Sequence, residues 1–149
     1  MINPLEQLYQ KYPDNLESKE VYVYIDSRSF GRERHVFIGW INHQDLGRLI
    51  VQQLHLTGDP GNYAFFPYYA SILSNNSLSF EQNLSLGSFS RGQRDIMIDL
   101  SKSVSFDRKS IRENCQDWLK ALLNLFHQNN LIESSIIEQI NFRLPGKNE

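Results

Sequence analysis

Two stretches of this 149-residue chain concentrate side chains suited to anion chemistry. The first, SRSFGRERH (27 to 35), sets Arg28, Arg32 and Arg34 around Gly31 and ends on His35. Guanidinium groups grip phosphate or carboxylate through a planar two-point fork, and a glycine lets the backbone come close to the anion. The second, GSFSRGQRD (87 to 95), repeats Ser-Phe and follows it with Arg91 and Arg94. Together these five arginines make an anion or nucleic-acid contact a candidate function. The ordinary alternative is a solvated connection, with Glu33 as a built-in counter-charge in the first stretch. Gly87 and Gly92 are spaced as in a phosphate-binding loop. Gln93 and Arg94, however, stand where such a loop needs Lys and then Ser or Thr to reach the phosphates and Mg²⁺. The run that follows also reads as a strand rather than a helix, so a nucleoside triphosphate site is set aside.

Other chemistries fare no better. His35, beside the arginines, is the histidine best placed to act as a general base. His43, His55 and His127 fall in no spacing that would put two ligands on one metal. Asp95 and Asp99 share a face of the expected strand and Asp26 ends another, so three carboxylates could meet at one sheet edge as in a Mg²⁺ nuclease; strand ends at the surface explain them equally well. Cys115 falls on the apolar face of a long helix, where burial makes a thiol inert. His127 is twelve residues further on, about 18 Å along the helix axis, too far for a dyad. No catalytic residue, metal or cofactor is therefore assigned. The remaining candidate is YAFFPYY, with Tyr63, Phe65, Phe66, Tyr68 and Tyr69 in seven residues. Aromatic rings anchor protein interfaces and stack on bases. Five of them around Pro67 are hard to bury at once, which points to an exposed patch.

Hydrophobic periodicity supplies the elements that would position these residues. Asn3, Pro4 and Glu6 read as a helix start, with Leu5, Leu8, Tyr9 and Tyr12 at helical spacing and Pro13 as the stop. EVYVYID alternates Val21, Val23 and Ile25 with Tyr22, Tyr24 and Asp26, the pattern of a strand. HVFIGWI is apolar on both faces and pairs with it as the more central strand of a hairpin. Residues 42 to 57 offer Asn42 or Asp45 as a cap, a stripe of Leu46, Leu49, Ile50 and Leu54, and Gly58 as a stop, so a helix is expected there. Residues 84 to 89 read as an edge strand and RDIMIDL (94 to 100) as another strand. Ser110 and Glu113 form a capping box for a helix over 111 to 128, ESSIIEQI a second helix, and 144 to 149 a frayed tail.

The composition, 40 % hydrophobic with one cysteine, fits a single α+β domain able to bury a core without disulfides. The N-terminus lacks a secretory pattern and no apolar run is long enough to span a bilayer, which points to a cytoplasmic protein with no membrane partner. Net charge is −2, yet residues 28 to 34 carry +2 and 91 to 112 carry +3, leaving −7 elsewhere. If the two segments meet, they form a basic patch on an acidic body. The expected architecture is two layers: an antiparallel, or mixed, sheet from 20 to 41 and 94 to 100, with helices 42 to 57 and 111 to 128 on one face. The expected function is a non-catalytic protein–protein interaction module, an accessory subunit of a larger assembly, with a second copy of the chain as a further admissible partner. The alternative is binding of RNA or single-stranded nucleic acid by Arg28, Arg32, Arg34, Arg91 and Arg94 with aromatic stacking. A third reading is a small hydrolase or nuclease using His35 or Asp95 and Asp99.

Overall fold

The computed structural model describes residues 4–25, 35–59, 61–74, 83–110 and 115–144. Its order is α1 (Pro4–Lys11), β1 (Lys19–Ile25), β2 (Val36–Asp45), β3 (Arg48–Leu54), β4 (Leu56–Asp59), β5 (Asn62–Phe65), β6 (Ala70–Ser74), β7 (Leu84–Phe89), α2 (Arg91–Ser103), α3 (Cys115–Gln128) and α4 (Ser134–Arg143). Five strands form an antiparallel sheet in the order β6-β3-β2-β1-β7, and β4 and β5 form a separate hairpin. The fold is α+β, with β2 in the centre of the sheet and β7 at an edge, as the sequence patterns indicate.

Alternation in β1 and β2 separates two faces. Val21, Val23, Ile25, Val36, Ile38 and Trp40 point into the main core with Leu54, where Met97 and Ile98 of α2 and Leu119, Leu122 and Phe126 of α3 meet them. Ile140 of α4 closes the same core. The opposite face holds a smaller cluster of Tyr24, Leu49 and Val51 with Tyr22, Phe37, Ile41 and Leu73 around it. Gly39 lies in mid-strand because that face is tight there. A Cβ would sit 2.7 Å from the Gln52 carbonyl oxygen and 3.2 Å from the Tyr24 ring.

Two expected elements are corrected. Residues 42 to 57 are not a helix but the end of β2, a two-residue turn, β3 and the start of β4. The Leu46, Leu49, Ile50 and Leu54 stripe is coincidental: Leu46 is 99 % exposed at the turn, while Leu49, Ile50 and Val51 are all buried, a run suited to a strand covered on both faces. Gly47 supplies φ +75° and Arg48 bonds both carboxylate oxygens of Asp45 across the turn. Gly58, expected as a helix stop, instead lies in β4 at φ +98°. Residues 94 to 100 are not a strand but part of α2. The alternating Ile96, Ile98 and Leu100 suggest period two, but the buried set is Arg94, Met97, Ile98 and Ser101, a helical period, and Ile96 is exposed. Ser90 accepts from the Gln93 amide while the Gln93 side chain accepts from the Ser90 amide, a reciprocal cap that starts the helix. The face of the sheet assigned to a 42–57 helix is thus covered by α2 together with α3.

The remaining helices follow their patterns, α1 ending before Pro13 and α3 and α4 occupying the C-terminal third. The 110/113 capping box, the Asn3 cap and the tail beyond Leu144 involve positions outside the described residues. Gly87, read as a phosphate-loop glycine, has φ +114° in β7, where the register against β1 shifts between Val21 and Tyr22. Its role is a β-bulge.

Candidate interaction surface

The polar centre of the molecule is built on Asp14, just after α1. Its carboxylate is 1 % exposed and takes two bonds from Arg94, Nε to Oδ2 at 2.9 Å and Nη2 to Oδ1 at 3.0 Å. The same guanidinium donates to the Phe89 carbonyl at 2.7 Å and the Asn15 carbonyl at 3.0 Å. Lys19 Nζ bonds Asp14 Oδ1 at 2.7 Å and reaches Asn42 Oδ1, which leads through Asn42 Nδ2 to Gln52 and so to the Trp40 indole N–H. Burial by itself raises the Asp14 carboxyl pKa. Hydrogen bonds from Arg94 and Lys19 outweigh it and hold the group below the usual carboxylate range.

Arg94 is fully buried, so the expectation that it contacts an external anion is corrected: its fork is used up inside the protein. Arg91 keeps 31 % of its side-chain surface and pairs with Asp95 at 3.0 Å, with Asp14 at 3.9 Å behind it. Arg28, Arg32 and Arg34, together with Gly31, Glu33 and Asp26, lie outside the described residues, and so does the question of whether the two arginine segments meet.

The aromatic segment divides. Tyr63 is buried in the main core, which corrects its place on an exposed patch: the β4–β5 hairpin pairs onward through the Tyr63 amide to the Arg108 carbonyl and turns that ring inward. Phe65 is half-buried with its ring 5.2 Å from Trp118. Phe66 and Tyr69 stack on each other at 5.8 Å, half-buried. Tyr68 is exposed, because Pro67 keeps 66 to 69 out of the sheet between β5 and β6.

Around Tyr68 the fold makes a groove. Tyr9 from α1 and Arg91, Asp95, Ile98 and Asp99 from α2 line it with Tyr68, enclosing about 460 Å³. The two tyrosine rings are 5.3 Å apart, and Lys102 Nζ lies 5.3 Å over the Tyr68 ring. Partial burial pushes the Tyr9 hydroxyl pKa up, against a lowering by Arg91. Tyr9 was not singled out from the sequence as a contact residue. Its place on the apolar stripe of α1 was the available signal, and that stripe equally describes a core position.

Among the described residues the catalytic candidates do not assemble. Asp95 and Asp99 are one helical turn apart and exposed, the first facing Arg91 and the second 3.5 Å from Lys102. Among the described residues no three His, Cys, Asp or Glu side chains gather as a metal site would require. His35 is exposed and meets the His55 ring edge-on at 6.4 Å. His43, expected in a helix, lies in β2 and stacks on Tyr12 at 4.6 Å. Burial raises the Cys115 thiol pKa, and His127 Nδ1 is 3.0 Å from the Ile132 carbonyl at the end of α3.

His55 carries a pH consequence. Among the described residues its Nε2 is enclosed without a partner, and burial, helped by His35, pushes its pKa down from 6.5 to about 4. The unfolded chain therefore takes up a proton that the folded one refuses. Stability is complete above pH 6.5 and falls as the pH drops toward 4. Urea midpoints of His55→Gln should be flat through that window where those of the parent chain decline; parallel curves for the two would show that His55 titrates normally.

Among the described residues, no helix is long and apolar enough to cross a membrane. No protein-family model, no curated protein and no solved structure matches this chain, so its assignment rests on its own geometry.

Proposed function

We propose that this protein is a non-catalytic interaction module, an accessory subunit of a cytoplasmic assembly, and that the groove between α1, α2 and residues 66 to 69 receives a segment of its partner protein. The observation that carries this reading is the pairing of Tyr9 with the exposed Tyr68 over a floor of Ile98, rimmed by Arg91, Asp95, Asp99 and Lys102. Tyrosine and arginine dominate interface hot spots, since they bury large rigid surfaces and keep a polar tip for hydrogen bonding. A rim of both signs selects a partner segment with charges of both signs and an apolar side chain between them. The nucleic-acid alternative is weaker, because Arg94 is internal and Arg91 is already paired.

Affinity capture with the intact chain, followed by native mass spectrometry, should return a defined complex. Tyr68→Ala should weaken it about thirtyfold, the scale of a hot-spot tyrosine of about 2 kcal/mol. The reading fails if only monomer is found, if Tyr68→Ala captures the same partner undiminished, or if an oligonucleotide is retained in a salt-sensitive way through these residues instead.

A further inference from the structure

Among the described residues only two phenylalanine, tyrosine or tryptophan side chains are exposed: Tyr68 in the groove and Phe142 on α4. Phe142 is the more open of the two, at 86 %. Ile136, Ile137 and Ile140 hold the inner face of α4 on the main core. Phe142, two residues past Ile140 and so about 200° round the helix, stands on the outer face, with exposed Glu138 and Gln139 one turn before it. One apolar side chain in water is ordinary on a protein surface. What distinguishes Phe142 is how its surroundings match the groove.

The groove calls for an apolar side chain between charges, and its two tyrosine rings favour an aromatic one, since rings attract each other in tilted and offset arrangements beyond the area they bury. Lys102 Nζ stands 5.3 Å over the Tyr68 ring, held only at 3.5 Å by an Asp99 side chain that is 75 % exposed, a pair weak enough to exchange partners. Glu138 precedes Phe142 by four residues, about 6 Å along the helix axis. A helix that lays Phe142 on Tyr68 therefore carries Glu138 to Lys102, and the opposite charges fix its direction. On the reading that the groove is a docking site, we infer that its occupant is α4 of a second copy of this chain, with Phe142 between Tyr9 and Tyr68 and Glu138 on Lys102. In each copy α4 packs on α3, whereas the groove is built from α1, α2 and residues 66 to 69. The two surfaces share no residue, so the contact is head to tail, α4 of one copy entering the groove of the other.

Sedimentation velocity over a concentration series tests the contact with the intact chain, Phe142→Ser and Tyr68→Ala, both changes being at exposed positions and leaving circular dichroism unaltered. The parent chain should self-associate, and each variant alone should do so about thirtyfold more weakly. An equimolar mixture of the two variants should form a 1:1 dimer and nothing larger, because Phe142 of the Tyr68→Ala chain meets the intact groove of the Phe142→Ser chain. Glu138→Lys should weaken self-association severalfold, and the double variant Glu138→Lys/Lys102→Glu should recover part of the loss. A monomeric parent chain, undiminished association of Phe142→Ser, or a variant mixture that stays monomeric would overturn the inference. Its failure is separable from that of the groove reading. A monomeric parent chain that captures a different protein, released by Tyr68→Ala, removes α4 as the occupant and leaves the groove as a docking site; capture unaffected by Tyr68→Ala removes both.

Discussion

Replacing Arg94 by methionine is expected to destabilise the protein by about 3–5 kcal/mol, read from the midpoint and slope of urea unfolding at neutral pH. Methionine fills much of the arginine's volume, so the loss is chiefly electrostatic. It removes two bonds from the Asp14 carboxylate and the donors to the Phe89 and Asn15 carbonyls. Removing one member of a buried ion pair is costly because the other is left desolvated, here with Lys19 at 2.7 Å and Arg91 at 3.9 Å as remaining cations. Lysine at the same position should recover only part of the loss, since it brings charge without the fork. The acid limb gives an independent check. Asp14 has a folded pKa below its unfolded value, so its contribution is present above the unfolded pKa of ~3.9 and is lost as pH falls through the folded one. That window lies below the one governed by His55. Arg94→Met should move the Asp14 transition to higher pH and leave the His55 window in place. A loss below about 1 kcal/mol would mean that the pair behaves as a surface contact.

Trp40→Ala should be of similar severity, about 3–5 kcal/mol by the same measurement, because Trp40 is wholly buried in the central strand and its removal leaves a large void in the main core. Two polar neighbours lose contacts as well. The Gln52 Oε1 loses the indole donor at 3.2 Å and keeps Asn42, and the Arg94 guanidinium, 6.0 Å from the indole ring, loses an aromatic face. The two substitutions are therefore coupled. The Trp40→Ala/Arg94→Met double variant should depart from the sum of the singles by about 0.5–3 kcal/mol. Simple additivity would show that the ion pair and the indole are independent.

The legible part of the fold is what local periodicity can specify. In β1 the valines and isoleucine alternate with tyrosines, and each set occupies one face of the sheet. The stripe of Cys115, Trp118, Leu122 and Leu125 marks α3 because three- and four-residue spacing is sustained over several turns. Two segments depart from their patterns for one reason, that a short apolar run satisfies more than one period. Leu46, Leu49, Ile50 and Leu54 fit a helix, as Ile96, Ile98 and Leu100 fit a strand. The decisive signals lay at the boundaries: Gly47 between Asp45 and Arg48 for the turn, and Ser90 with Gln93 for the helix start.

By itself, then, the sequence determined the class of fold, the central hairpin strands, the edge strand and the C-terminal helices, all of which follow from side-chain spacing within a few residues. Only the tertiary structure decided which arginines and aromatics are available at the surface. Arg94 is internal because Asp14, eighty positions earlier, is folded against it. Tyr63 is internal because the segment around Arg108 pairs with its strand. Tyr68 meets Tyr9 because α1 lies beside β6. Each of these contacts joins groups far apart along the chain, and a linear pattern records what a residue can bond to but not which distant partner reaches it first.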